Sequence, residues 1–128
     1  MTPSKIRLHK KSRQLELQFG DEIVLLPAEF LRVHSPSAEV KGHGPDQAVL
    51  QHGKREVAIT HIERAGNYAI KLVFDDGHDT GIYTWEYLHQ LGTQQESLWQ
   101  AYLDALHRAG KTRDANTSVV RLMDPSQS

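Results

Sequence analysis

The sequence contains no cysteine in its 128 residues. That absence excludes disulfides, thiolate zinc sites, Fe–S ligation and cysteine nucleophiles together. Long hydrophobic runs are missing too. No stretch approaches the ~20 apolar residues that cross a bilayer, and the opening MTPSKIRLHKKSRQ has no apolar core of the signal-peptide kind. Nor does one charge dominate: 15 Lys and Arg stand against 16 Asp and Glu, for a net charge of −1 and a pI near 6.7. No global field therefore recruits nucleic acid or an anionic membrane. The expectation is a cytoplasmic protein without membrane or nucleic-acid partners. Lys5, Arg7, Lys10, Lys11 and Arg13 do cluster near Glu16, but without interleaved aromatics they read as a solvated face.

What is present suffices for one domain, because a chain of this length can bury a core without metal or disulfide help. Ile6-Arg7-Leu8 and Leu15–Phe19 alternate with period two and predict strands joined by a polar loop at Lys10–Arg13. Gly20-Asp21 turns the chain into a short apolar strand, residues 23–26. Pro27 suits the first turn of a helix, with Phe30, Leu31 and His34 on its inner edge. Residues 35–53, SPSAEVKGHGPDQAVLQHG, hold two prolines and three glycines and read as a long loop with one edge strand at 48–51. Residues 57–63 form the next strand. Residues 68–74 form the best strand, with Tyr68, Ile70, Leu72 and Phe74 on one face. Asp75-Asp76-Gly77 turns the chain back through residues 80–83. Thr84 caps a short helix, residues 85–91, ending at Gly92. Thr93 and Glu96 have capping-box spacing ahead of a last helix. Its stripe is Leu98, Tyr102 and Leu106, widened by Trp99 and Leu103, and Gly110 stops it. The expected domain spans residues 5–110, with residues 111–128 a polar tail in which Val119, Val120 and Leu122 could dock as a strand. The fold class is α+β, antiparallel and β-rich, with short helices and a longer C-terminal one.

A weak internal echo accompanies this pattern. GDEIVLLPAEFLR (20–32) aligns with GHDTGIYTWEYLH (77–89), matching the glycine, Glu29 with Glu86 and Leu31 with Leu88. Common origin and chance similarity of two strand–helix units both explain it.

Four candidate chemistries arise from residue type and spacing. The first is metal binding. His34, His43 and His78, with Glu39 and Asp79, could gather if the loop folds over the hairpin, although no tight ligand spacing supports it. Second, Asp75, Asp76 and Asp79 form an acidic cluster, but D-D-G between strands is ordinary turn chemistry. Third, Ser35 and Ser37 lie near His34 and Glu39, without a G-x-S-x-G elbow. Fourth, Tyr68, Phe74, Tyr83, Trp85 and Tyr87 could form a binding face. Their better use is core, with Trp85 beneath the final helix.

In order, LPAEFLR, HSPSAEVKGHGP, GNYAIKLVFDDGH and TGIYTWEYL resemble the gamma-butyrobetaine hydroxylase-like N-terminal domain family over residues 6–92, in its stand-alone bacterial form. The resemblance implies a module that packs beside, or is fused to, other proteins. These are carnitine-pathway hydroxylases in one case and ATPases of the Fe–S carrier type in another. A protein partner in Fe–S or metal metabolism and homodimerisation follow as expectations. The resemblance also places zinc-binding cysteines near Ser35, Ser37 and Val40, and a histidine ligand at His78. The thiolates are all gone here, so no zinc or other cofactor carries over. Hydroxylase chemistry does not carry over either, because no H-x-D element occurs. The expectation is a non-catalytic interaction module. Its surface lies where residues 35–45 meet residues 77–85, with Ser35, Ser37, Glu39, His43, His78, Asp79 and Tyr83 as its site residues. The alternative is a metal-binding protein using His78 with His43 or His34.

Overall fold

The computed structural model of the chain describes residues 1–42 and 48–115. Two antiparallel three-stranded meanders follow one another. The first comprises β1 (Lys5–His9), β2 (Gln14–Phe19) and β3 (Glu22–Pro27); the second comprises β4 (Ile59–Arg64), β5 (Ala69–Phe74) and β6 (Gly81–Thr84). Helix α1 (Ala28–Val33) leaves β3, and one helical turn, α2 (Ala38–Lys41), follows. Helix α3 (Trp85–Thr93) leaves β6, and α4 (Gln95–Ala109) closes the order. The result is a single α+β domain.

The period-two pattern carries through to burial. Leu15, Leu17 and Phe19 point inward from β2 and pair with the β3 strand that supplies Val24 and Leu26. Ile70, Leu72 and Phe74 do the same from β5, beside Tyr83 of β6. The inner faces of both sheets, with Phe30, Leu31, Trp85, Leu88 and Leu91, form one hydrophobic cluster. Each such side chain contributes roughly 1.5–3 kcal/mol on burial. Tyr102 and Leu106 of α4 form a smaller cluster with Val33. The echo between residues 20–32 and 77–89 is architectural: each meander turns at a left-handed glycine, Gly20 or Gly77, and its last strand runs straight into a helix.

Several local expectations are corrected. Pro27 pairs with Gln14 as the last residue of β3 and caps α1, which begins at Ala28. An edge strand tolerates a residue without an N–H. Tyr68 is 77% exposed, because it belongs to the turn and the strand starts at Ala69. Residues 48–51 form no strand; one bond, Val49 N–H to Val40 O at 2.8 Å, ties them to α2. Helix α3 runs through Gly92, and the Thr93–Glu96 box does not form. Thr93 Oγ1 donates instead to Gln90 O, and Gln94 precedes α4 without a side-chain cap. Gly92 serves packing: a Cβ there would lie 2.4 Å from Val24 Cγ1. Trp85 is buried, its indole N–H donates to Asn67 O, and it lines a cleft together with Ile62 and Ile70 of the second sheet. Thr84 does cap α3, accepting the Tyr87 N–H, and left-handed Gly110 does end α4. Beyond it, Thr112 and Arg113 accept backbone bonds from Gly53 and Arg55, so the chain is still tied down there. The expected strand at Val119, Val120 and Leu122 lies outside the described residues.

Candidate functional site

The loop after α1 and the β5–β6 turn meet in a buried polar knot. Phe74 N–H donates to His78 O and Gly77 N–H to Phe74 O, which closes the turn. Its acids are spent on the backbone: Asp75 Oδ1 accepts from Ala58 N–H at 3.0 Å and Asp76 Oδ1 from His78 N–H at 3.1 Å. The Asp76 bond, two residues along the chain, is Asx turn chemistry, and the Asp75 bond ties the turn to Ala58. The turn aims the His78 ring inward, where Nε2 lies 2.8 Å from Ser35 Oγ and 3.5 Å from Ser37 Oγ. Ser35 is 1% exposed and His78 7%. Ser35 Oγ also accepts the Ser37 N–H at 3.3 Å, and Ser37 O accepts the Val40 and Lys41 N–H groups that start α2. The knot therefore sets the loop on the hairpin. Glycine is required opposite it: a Cβ at Gly81 would stand 2.7 Å from Ser35 Oγ.

The surroundings disfavour the charged form of the ring. Burial lowers the His78 pKa, and the Arg32 guanidinium lowers it further against the opposing pull of Glu39 and Asp76. Glu39 Oε1 is 3.9 Å from Nδ1, too far for a hydrogen bond, and it accepts one from Thr80 Oγ1. Below the knot, Asp76 Oδ2 meets Arg32 Nε at 2.9 Å and Lys54 Nζ at 2.6 Å. Burial pushes the Asp76 carboxyl up, but Lys54, the His78 N–H and Arg32 outweigh it and hold its pKa low. Tyr83 donates to Leu31 O, and its own burial raises its pKa.

The expected site residues thus divide. Ser35, Ser37, His78 and Tyr83 come together but are buried, so they do not serve as contact surface. Glu39 and Asp79 are exposed on the rim above them. His43 lies outside the described residues. His34 is not part of the knot: its Nδ1 is bonded to Phe30 O at 2.9 Å, its ring packs on Phe30, and burial lowers its pKa. Among the described residues no three His, Asp or Glu side chains gather as a metal would need. Of the metal alternative, the pairing of His78 with His34 finds no geometry, and the pairing with His43 lies outside the described residues.

Two long-range ion pairs, one beside the knot and one away from it, escaped the sequence reading. Arg32–Asp76 spans 44 positions and Arg113–Glu29 spans 84. One signal was readable: Glu29 and Arg32 are the charges in the otherwise apolar run of residues 23–33, and charges set among apolar residues need partners.

The family model for gamma-butyrobetaine hydroxylase-like, N-terminal proteins matches residues 6–89. The chain belongs to that family. Two relatives of this gamma-butyrobetaine hydroxylase-like domain have NMR solution structures. One is 56% identical with a TM-score of 0.79, covering 89% of this chain and 90% of the relative. The other is 49% identical with a TM-score of 0.75, covering 88% and 84%. A crystal structure from Acidithiobacillus ferrooxidans, of a DUF971-family protein with unknown function, is 37% identical with a TM-score of 0.60 and covers 71% and 92%. No curated protein matches.

Membership sharpens the reading of the knot. The positions at which the family resemblance places metal ligands, Ser35, Ser37 and His78, do converge, and Val40 is buried. The residues present do not fit zinc. Hydroxyls are poor ligands for it, valine is none, and the histidine nitrogen already holds Ser35. Hydrogen bonds do here what a metal would do in a thiolate site. Among the described residues no helix is long and apolar enough to cross a membrane.

Proposed function

We propose that this gamma-butyrobetaine hydroxylase-like domain is a non-catalytic interaction module. Its partner face is the rim where α2 meets the hairpin leg of β6, carrying Glu39, Asp79, Thr80 and Ile82. The observation that carries the reading is the closure of the knot. Ser35, His78 and Glu39 are the side chains most like a nucleophile, a base and an orienting acid. Yet Ser35 is 1% exposed, and the acid lies 3.9 Å from the ring. A substrate has no approach to such a serine. What the knot does is fix the backbone beneath an exposed rim of two acids and one apolar residue, Ile82, 51% exposed. A rigid, mixed surface of this kind suits a protein partner. The family context favours a partner in Fe–S or metal metabolism.

Two measurements test the reading. A partner captured from the host is identified, purified and titrated against wild type, Glu39→Lys, Asp79→Lys and the distant Lys10→Glu. The rim variants lose at least about tenfold in affinity and Lys10→Glu does not. Equal loss in all three removes the rim from the account. Separately, a fluorophosphonate probe leaves Ser35 unlabelled. Labelling of Ser35 that His78→Ala abolishes would replace this reading with a hydrolase.

A further inference from the structure

The strand that carries the rim, β6, lies at an edge of its sheet. It pairs with β5 on one side and, among the described residues, with no strand on the other. One bond fixes the direction of its backbone groups. Trp85 N–H donates to Tyr68 O at 3.0 Å, just beyond the aligned pair Thr84 and Ala69. In an antiparallel ladder such a bond flanks a pair that is not itself bonded, and bonded and unbonded pairs alternate. Tyr83 and Ile70 are therefore a bonded pair, and Ile82, opposite Lys71, is unbonded again. The N–H and C=O of Ile82 and the N–H of Thr84 thus point away from β5. Among the described residues none of the three makes a hydrogen bond outside the ladder. The side chains divide the same way: Gly81 and Tyr83 are buried, while Ile82 and Thr84 are exposed.

We infer that the second sheet gains a fourth strand at β6: an extended segment of the partner protein, with a basic side chain two residues from an apolar one. The inference rests on the rim reading above and adds how the partner is held. Open strand groups are matched by another extended backbone, which brings donors and acceptors at the same spacing. The side chains beside the edge select the sequence. Ile82 offers an apolar neighbour to the residue paired across from it. Two residues earlier on the same face stands Thr80, whose hydroxyl holds Glu39. The Glu39 side chain is 67% exposed, and Asp79 is exposed beside it. A Lys or Arg two residues from the apolar position reaches these acids. The edge is also fixed in advance. Gly81 stands directly against Ser35 of the knot, so only the incoming segment has to be ordered.

The probe is the capped peptide Lys-Thr-Val-Thr-Lys, which sets a lysine beside the acids in either strand direction. Its controls are the Glu-Thr-Val-Thr-Glu peptide and the lysine peptide with its three central nitrogens methylated. The readouts are nitrogen–proton spectra and amide exchange of the full chain. In the free chain the Ile82 and Thr84 amides exchange as unbonded amides do, and Tyr83 exchanges at least about tenfold more slowly. The lysine peptide slows exchange at Ile82 and binds at least about tenfold more tightly than either control. Asp79→Lys removes the preference for lysine over glutamate, and Ile82→Val keeps it. Protection of Ile82 in the free chain overturns the inference, because the edge is then already filled, by the chain itself or by a second copy. A lysine peptide that leaves Ile82 unprotected, or that binds no better than its methylated form, overturns it too. The rim reading survives that failure if Glu39→Lys and Asp79→Lys still weaken the captured partner. If that partner ignores both variants while the peptide still protects Ile82, the rim reading alone is lost.

Discussion

Replacing His78 by alanine tests what the knot contributes. The change deletes a ring packed beside Phe74, with centroids 6.0 Å apart, and takes the nitrogen away from Ser35 and Ser37. A buried hydroxyl left without its partner costs about 1–3 kcal/mol. Ser35 keeps the Ser37 N–H, which puts it at the lower end of that range. Ser37 loses only a 3.5 Å contact, so its share is small. The space left by the ring adds on the order of 1 kcal/mol. His78→Ala should therefore lose roughly 2–3 kcal/mol in urea unfolding. His78→Gln, whose amide can reach one hydroxyl, should lose about half as much. The local effect is more specific than the global one. Amide exchange at Ser37, Val40, Lys41 and Gly42 should accelerate in His78→Ala beyond what the loss of global stability explains. Unchanged protection there, with a loss under about 0.5 kcal/mol, would refute the claim that the ring ties loop to hairpin.

Four further outcomes follow from the same structure. Burial holds the pKa values of His78 and His34 in the folded chain below the ordinary histidine value, so the unfolded chain binds more protons as the pH falls through the histidine range. Stability should fall between pH 7 and 5, less steeply in His78→Gln, as measured by urea midpoints across that window. Trp85→Ala, at a side chain 8% exposed and bonded to Asn67, should cost roughly 3–5 kcal/mol in urea unfolding; a loss under about 1 kcal/mol would put the ring on a surface. Gly92→Ala should cost about 1–3 kcal/mol through the clash with Val24, with Val24→Ala in the same chain recovering part of it. Excess chelator should leave the thermal midpoint where it is, and a large drop would mean that a metal holds the loop after all.

The strands were legible because a half-buried strand writes its period directly: Leu15, Leu17 and Phe19 are buried and their neighbours are not. The α4 stripe was legible for the same reason at helical spacing. What failed was punctuation. Gly92 looks like a helix stop, yet it is a contact with Val24, and only the packing of α3 on β3 distinguishes the two. The capping box at Thr93 fell with it. Tyr68 continued the alternation of its strand but sits one residue outside the ladder, where alternation no longer decides burial. The site was half legible. The meeting of residues 35–37 with His78 followed from the family resemblance, whose ligand positions must converge. Burial was not legible, because polar side chains give no sign of it until their partners are known. The Glu29–Arg113 pair joins residues that no local pattern connects.

The most direct test of the interaction reading is site-specific photo-crosslinking in the host cell. A photoreactive residue replaces Glu39 or Ile82 on the rim, or Gln18 on the first sheet as a control. The account predicts one discrete protein adduct shared by the Glu39 and Ile82 positions, absent from Gln18 and lost when His78→Ala loosens the loop. Adducts of equal yield at all three positions, or rim adducts indifferent to His78, would contradict it.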